Sequence, residues 1–352
     1  MTDTKENILV WLPSPMGDAI LCTPALRAIR KRFSSSKITF YASALIHQVF
    51  TPCSFTNAWL EQNEQNVFAA ARILKRNNFT RVIMFKNSFG SALTCWLAGI
   101  PVRTGYARDG RGILLTEKLY PPRLPSGEFK PITVVDYYLA IAAKLGAYIQ
   151  DKSIELAVEQ TDTAKLKAKL PVVFDTKGPV VILVPGAAAG PSKRWFADRF
   201  AQVADRLTEK YNATIVLSVA PNADEKNIAK QIFDAAKHKP INIGDTPVGL
   251  GELKALIGLA DLIVCNDTGP RHIAIGLKRK VITLVGPNDP VWTDPGYADE
   301  IFIKGDVPCA PCDKPVCKKT SHFCMEAITV DMVCKAASKV LDAGGFGKRG
   351  GL

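Results

Sequence analysis

No apolar run in this chain reaches the ~18 residues that a bilayer-spanning helix needs. The opening MTDTKEN leads straight into a strand-like ILVWL, unlike the charged-then-apolar pattern of a secretory signal. A soluble, intracellular protein is expected. Two nucleotide signatures are also missing. Gly190 is followed by Pro191, Ser192 and Lys193, so there is no P-loop ending, and no Gly-x-Gly-x-x-Gly follows a strand, which disfavours a dehydrogenase. There is no helix dense in Lys and Arg, no aromatic platform motif and no zinc-finger histidine spacing. Nucleic acid is therefore the weakest candidate partner. No internal sequence repeat is evident.

What the chain has is length, apolar content and positive charge. Its 352 residues are enough for two ordinary domains, and 47% apolar content supports full cores. A net charge of +12 suits an anionic partner, either a phosphorylated substrate or an anionic membrane surface, and equally a basic, merely soluble face. Nine cysteines fit a reducing compartment, because several, such as Cys95 and Cys265, sit in core-like apolar patterns.

The stretch from Val180 to Trp195, VVILVPGAAAGPSKRW, organises the rest. It opens with five apolar residues, four of them β-branched, as in a strand buried on both faces. Pro185 and Gly186 end that strand. A small-residue turn leads to Lys193 and Arg194, and a helical pattern follows. Such a turn lets backbone N–H groups point at a phosphate, and Lys193 would add a full charge. An ordinary strand-to-helix turn with a solvated Lys-Arg pair is the competing reading.

Strands and helices alternate on both sides of this stretch. In the first half the patterning predicts strands from Ile8 to Leu12, Ile38 to Tyr41 and Arg81 to Phe85. It predicts helices from Thr23 to Arg32, Val67 to Arg76, Ala92 to Leu97 and Val134 to Leu145. Residues 105–130 are the longest irregular stretch. In the second half the predicted strands run from Ala213 to Val219, Leu262 to Cys265 and Val281 to Val285, with helices between them. We expect an α/β fold with a first domain over 1–160, a linker over 161–177 and a second domain over 178–330. A closing helix over 331–343 and a disordered tail over 344–352 complete it. Alternating elements imply parallel sheets, and ligands then gather at the carboxyl ends of the strands, toward a cleft between the domains.

Five constellations at those ends could carry chemistry. Gly17 and Asp18 follow the first strand; Asp18 is either a general base or a helix cap. Asp267, Thr268, Gly269 and His272 follow the strand LIVC; they either bind an anion at a helix start or cap the helix, with His272 on a packed face. Asp224 and Glu225 follow a third strand and either meet a ribose or sit at a dipole-matched helix start. Cys309, Cys312, Cys317 and Cys324, at spacings of two, four and six residues with His322 nearby, could hold a structural zinc, form disulfides or remain free thiols. Arg103, Arg108, Lys118 and Arg123 border the irregular stretch and either grip an acidic acceptor or form a solvated surface.

Taken together, ILVWLPSPMGDAILCTPALRAIR, KNSFGSALTCWLAGIPVRTGY, PGAAAGPSKRW, VCNDTGPRHIAIGL, VITLVGPNDP and CAPCDKPVCKKTSHFCMEAI resemble the bacterial ADP-heptose:lipopolysaccharide heptosyltransferases, glycosyltransferase family 9, most closely the heptosyltransferase II branch. The resemblance implies a GT-B fold: two Rossmann-like domains, the first taking a lipid-linked acceptor and the second a nucleotide-sugar donor. It implies an inverting, metal-independent transfer with ADP-heptose as donor and no required cofactor. Asp18 matches the general base, and Lys193 the residue that neutralises the donor diphosphate. Thr268, Gly269 and His272 fall where the family holds phosphates, and Asp267 where it contacts the heptose. Asp224 or Glu225 would meet the ribose, and Gly186 and Ser192 complete the donor turn. Gly17, Asn87, Ser88 and Arg103 fall on the acceptor side. Ala187 and Ala188 replace hydroxyls found in some relatives. A cytoplasmic protein held peripherally at the anionic face of the inner membrane, with no nucleic acid partner, is implied. The alternatives are a relative serving another sugar or glycan, and a non-catalytic nucleotide-sugar-binding protein.

Overall fold

The computed structural model describes residues 5–344 apart from residue 65, so the tail expected over 344–352 lies, beyond residue 344, outside the described residues. The chain forms two compact units. One holds Met1–Leu156 with Val291–Gly296; the other holds Ala157–Pro290 with Tyr297–Leu352.

The first unit is built on six strands: β1 (Asn7–Trp11), β2 (Lys37–Ala42), β3 (Ala58–Glu61), β4 (Arg81–Met84), β5 (Val102–Tyr106) and β6 (Glu117–Leu119). They pair in parallel in the order β3-β2-β1-β4-β5-β6. The second unit has β7 (Val180–Val184), β8 (Thr214–Leu217), β9 (Ile241–Asn242), β10 (Leu262–Asn266), β11 (Val281–Val285) and β12 (Glu300–Lys304). Their parallel order is β12-β11-β10-β7-β8-β9. Read from its own first strand, each sheet has the doubly wound order 3-2-1-4-5-6. The topology therefore repeats although the sequence does not.

The central strands are apolar runs because helices cover both faces. Every residue of β7, β10 and β11 is buried. Val181, Leu183, Val264 and Ile282 share one core with Phe200, Val203 and Leu207 of the helix Ala197–Tyr211. Each such side chain contributes ~1.5–3 kcal/mol by leaving water.

Residues 161–177, expected as a linker, instead carry the helix Gln160–Lys169 and a short 3-10 turn, Pro171–Val173. That helix belongs to the second unit, where it packs on the helix Leu250–Leu259 through the fully buried Leu166 and a Lys169–Glu252 ion pair of 2.8 Å. Its sequence, QTDTAKLKAK, buries one leucine, too little for a periodic apolar signal.

Candidate functional site

In a 3-2-1-4-5-6 sheet the chain leaves the first strand and its fourth-strand neighbour in opposite directions, so a crevice opens at their carboxyl ends. Here those ends belong to β1 and β4 in one unit and to β7 and β10 in the other.

In the second unit the segment after β7 runs from Pro185 to Arg194, with a 3-10 turn at Pro191–Lys193. Gly186 is glycine because Glu225 packs against it: a Cβ there would fall 2.1 Å from Glu225 Oε2. Gly190 has φ of +143°, and a Cβ would lie 2.2 Å from the Pro315 carbonyl oxygen. The fully buried Asn266, last residue of β10, ties the turn down. Its Nδ2 donates to the carbonyls of Pro185 (2.8 Å) and Gly186 (3.3 Å), and its Oδ1 accepts from the Trp195 N–H (3.3 Å).

Beyond Asn266 the helix Gly269–Gly276 begins, with Thr268 as N-cap. The Thr268 side chain makes no capping bond, so the capping alternative is not realised and the hydroxyl stays uncommitted. Asp267 precedes the N-cap. Its Oδ2 accepts from Lys193 Nζ at 2.9 Å and its Oδ1 from Arg271 at 3.0 Å. Burial opposes ionisation of Asp267, but Lys193 and Arg271 outweigh it and hold the carboxyl below its ordinary value. Arg271 is wholly buried and forms a bidentate pair with the equally buried Glu300, at 2.6 and 3.1 Å. Thr283 Oγ1 donates to Glu300 Oε1 at 2.5 Å. Lys193, Asp267, Arg271 and Glu300 thus form one chain of alternating charge. His272 is buried, its Nδ1 has no partner among the described residues, and burial followed by the Arg271 charge lowers its pKa to about 3. It is neutral and can offer an anion an N–H but no charge.

The two acids after β8 separate. Asn222 caps the helix Ala223–Ala235 through the Glu225 N–H (2.9 Å). Asp224 is exposed and paired with Arg194 at 2.6 Å. Glu225 is buried against Gly186 and accepts from the Ala220 N–H at 2.8 Å. Ser192 differs from expectation. Its Oγ donates to the Lys314 carbonyl (2.5 Å) and its N–H to the Pro315 carbonyl (3.2 Å), so both donors serve the fold. The cysteine-bearing loop therefore buttresses the turn. Cys309, Cys312, Cys317, Cys324 and His322 line one cavity of about 230 Å³, and all four thiols are free. Among the described residues, no three of His, Cys, Asp or Glu stand close enough together to hold an ion.

In the first unit Asp18 lies in the first turn of the helix Met16–Leu21, whose N-cap is Pro15. It is not the cap, and among the described residues no side chain pairs with its carboxylate. Burial pushes its carboxyl above the usual range. Asp18, Asn87, Arg108, Lys130, Tyr137 and Tyr138 line a cavity of about 230 Å³. Gly17 adjoins it in sequence. The wholly buried Arg111 aims Asn87 by donating to its Oδ1 (2.6 Å) and to the Lys86 carbonyl (2.5 Å). Ser88 caps the helix Phe89–Leu97 through the Ser91 N–H. Arg103 is turned to the carbonyls of Leu114 (2.6 Å) and Ile100 (2.5 Å), a structural clamp rather than a cavity residue. Asn266, Arg271, Glu300 and Arg111 escaped the sequence reading. Asn266 and Arg271 sat in a noted motif without a role of their own, whereas no local pattern marks Glu300.

A profile of glycosyltransferase family 9 (heptosyltransferase) matches residues 67–322. Lipooligosaccharide heptosyltransferase 2 of Campylobacter jejuni is 22% identical over 95% of this chain and 99% of its own length. Lipopolysaccharide heptosyltransferase 2 of Escherichia coli is 26% identical over 82% of this chain and 85% of its own. The solved E. coli ADP-heptose lipopolysaccharide heptosyltransferase II superposes with a TM-score of 0.78 at 24% identity, covering 95% of this chain and 98% of that one. A family 9 glycosyltransferase from Veillonella parvula superposes at 0.82 with 22% identity, covering 98% and 99%.

Proposed function

The chain belongs to glycosyltransferase family 9, and from this premise we propose that it moves heptose from ADP-L-glycero-D-manno-heptose to the inner core of lipopolysaccharide, in the manner of a heptosyltransferase II. Its two parallel sheets share the GT-B fold of the heptosyltransferase structures.

In this proposal the second unit binds the donor. Backbone N–H groups of the Gly186–Ala189 segment and of the Thr268–Gly269 helix start meet the diphosphate, joined by Lys193, the Thr268 hydroxyl and the neutral His272. Asp267 contacts the heptose. Glu225, set in the turn, takes the ribose in preference to Asp224, which faces outward to Arg194. The first unit binds the acceptor in the cavity of Asp18, Asn87 and Arg108, with Gly17 and Ser88 beside it in sequence. Asp18 takes the proton of the acceptor hydroxyl as its oxygen bonds to the anomeric carbon. The bond from that carbon to the diphosphate breaks on the opposite face, and ADP leaves with the electron pair, so the centre inverts. Burial suits Asp18 to this task, because a raised pKa makes a carboxylate a stronger base.

The transfer is proposed to need no catalytic metal. The four-cysteine loop has a structural part through its hold on Ser192. The enzyme is placed peripherally at an anionic membrane face; no described helix is long and apolar enough to cross a membrane.

The observation that carries this reading is the Lys193–Asp267–Arg271 array beside two small-residue strand ends, with a burial-raised carboxylate at the matching strand end of the other unit. The test is ADP release from ADP-heptose with an inner-core acceptor. Transfer is expected from the native chain, and Asp18→Asn should lower kcat by ~10²–10⁴ with donor affinity intact. Equal loss of both would remove Asp18 from the role of base.

A further inference from the structure

Of the large apolar side chains left exposed in the first unit, Trp96 and Tyr148 end or follow helices, whereas most follow strands. Phe68, Phe89, Ile113, Tyr120, Leu124 and Phe129 are all exposed, Ile113 by 83% and Tyr120 by 73%. Each follows the carboxyl end of a strand: Phe68 after β3, Phe89 after β4, Ile113 after β5, and the last three after β6. In a parallel sheet these ends share one edge, the edge that carries Asp18. Phe68 and Phe89 begin neighbouring helices, and a Cβ at Gly90 would lie in ordinary van der Waals contact with a Val67 methyl group.

The segment after β6 is a small hairpin. The Leu124 N–H donates to the Glu128 carbonyl (2.8 Å) and the Lys130 N–H to the Pro122 carbonyl (2.9 Å), with Gly127 in the left-handed region at the tip. Arg123 bridges to Phe129, and the guanidinium groups of Arg108 and Arg123 lie 4.9 and 4.4 Å from the Phe129 ring centre. Phe129 and Lys130 also line the Asp18 cavity, so the hairpin stands at its mouth. Lys118, Arg123 and Lys130 against the single Glu128 leave the segment 118–130 positive. The opposite edge also exposes Trp96 and Tyr148, but two of its arginines are committed. There Arg27 is paired with Asp151 and Glu155, and Arg30 is spent on Asn57 and backbone carbonyls.

Aromatic and aliphatic tips interleaved with lysine and arginine are what an anionic lipid surface binds, the rings at headgroup depth and the cations on the phosphates. We infer that the hairpin 120–130, with Ile113 beside it in sequence, docks the first unit on an anionic bilayer and presents the mouth of the Asp18 cavity to a membrane-borne acceptor. The inference rests on the membrane-borne acceptor of the proposed function.

The experiment uses the full chain and sedimentation with vesicles of phosphatidylethanolamine and phosphatidylglycerol, compared with phosphatidylcholine alone. Neither vesicle contains acceptor, so the binding is read independently of any transfer reaction. The native chain should partition onto the anionic vesicles and be released by salt. The double variant Tyr120→Ser, Leu124→Ser should lose partition by about tenfold or more while keeping its melting temperature and its rate with a water-soluble truncated acceptor. Three results overturn the inference: no preference of the native chain for anionic vesicles, undiminished binding by the variant, or equal loss of transfer to the soluble acceptor. The last would make the hairpin part of the acceptor site alone.

Discussion

Lys193→Ala removes the ammonium that donates to Asp267 and, in the proposed function, the charge offered to the donor diphosphate. A charge-assisted hydrogen bond is worth ~1.5–3 kcal/mol, so the donor Kd should rise ~10–100-fold by calorimetry. Unchanged affinity would take Lys193 out of the site. Asp18 makes a prediction in pH. A base acts ionised, so kcat/KM falls as pH drops through its pKa, and burial sets that limb above the ordinary aspartate value. An acid limb at the ordinary value contradicts a buried base. The raised pKa also has a stability cost with a definite sign. Below the ordinary pKa the carboxyl is neutral in both states and costs nothing. The cost grows as pH rises from that value through the raised one and persists above it. Asp18→Asn should therefore melt slightly higher than the native chain at neutral pH while losing turnover. Residues such as Asp18, Lys193 and Asp267 were legible because they stand in Gly- and Pro-marked turns after apolar runs. Arg111 and Glu300 were not, because their roles depend on partners 24 and 29 residues away that only the fold brings near.

The element that sets the turn proposed to take the donor is the helix start after β10, held by the Arg271–Glu300 pair against β12. Removing one partner of a buried ion pair leaves the other uncompensated, at ~3–5 kcal/mol. Glu300→Gln is expected to lower the melting temperature by several degrees and to weaken donor binding through Asp267. Thr283→Val removes only the hydroxyl donated to Glu300 and should show the same two effects more weakly. A melting loss without any change in donor affinity would confine the pair to stability. Elements at this scale were legible in proportion to their length and burial. The helices Thr23–Arg32 and Val67–Arg76 and the strands β7 and β11 stand where the apolar spacing puts them. The edge strands β3, β6, β9 and β12 were missed, as were β5 and the helix Ala44–Phe50. β6 and β9 have three and two residues, too few for alternation to register, and β3 is only half buried.

For the molecule as a whole, two sheets of one topology put the candidate residues at equivalent strand ends, a repeat invisible in the sequence because different side chains fill the two cores. The formal charge of +12 matches an enzyme whose proposed partners, a diphosphate donor and a phosphorylated acceptor at an anionic surface, are all negative. The division of labour between the units rests above all on the identity of the donor. Calorimetric titration of the purified chain with ADP-heptose, compared with ADP-glucose and UDP-glucose, addresses it most directly. Preferential binding of ADP-heptose, lost in Lys193→Ala and kept in Asp18→Asn, is the result expected. Tighter binding of either comparator by the folded chain would contradict the heptose assignment and move the enzyme to another glycan.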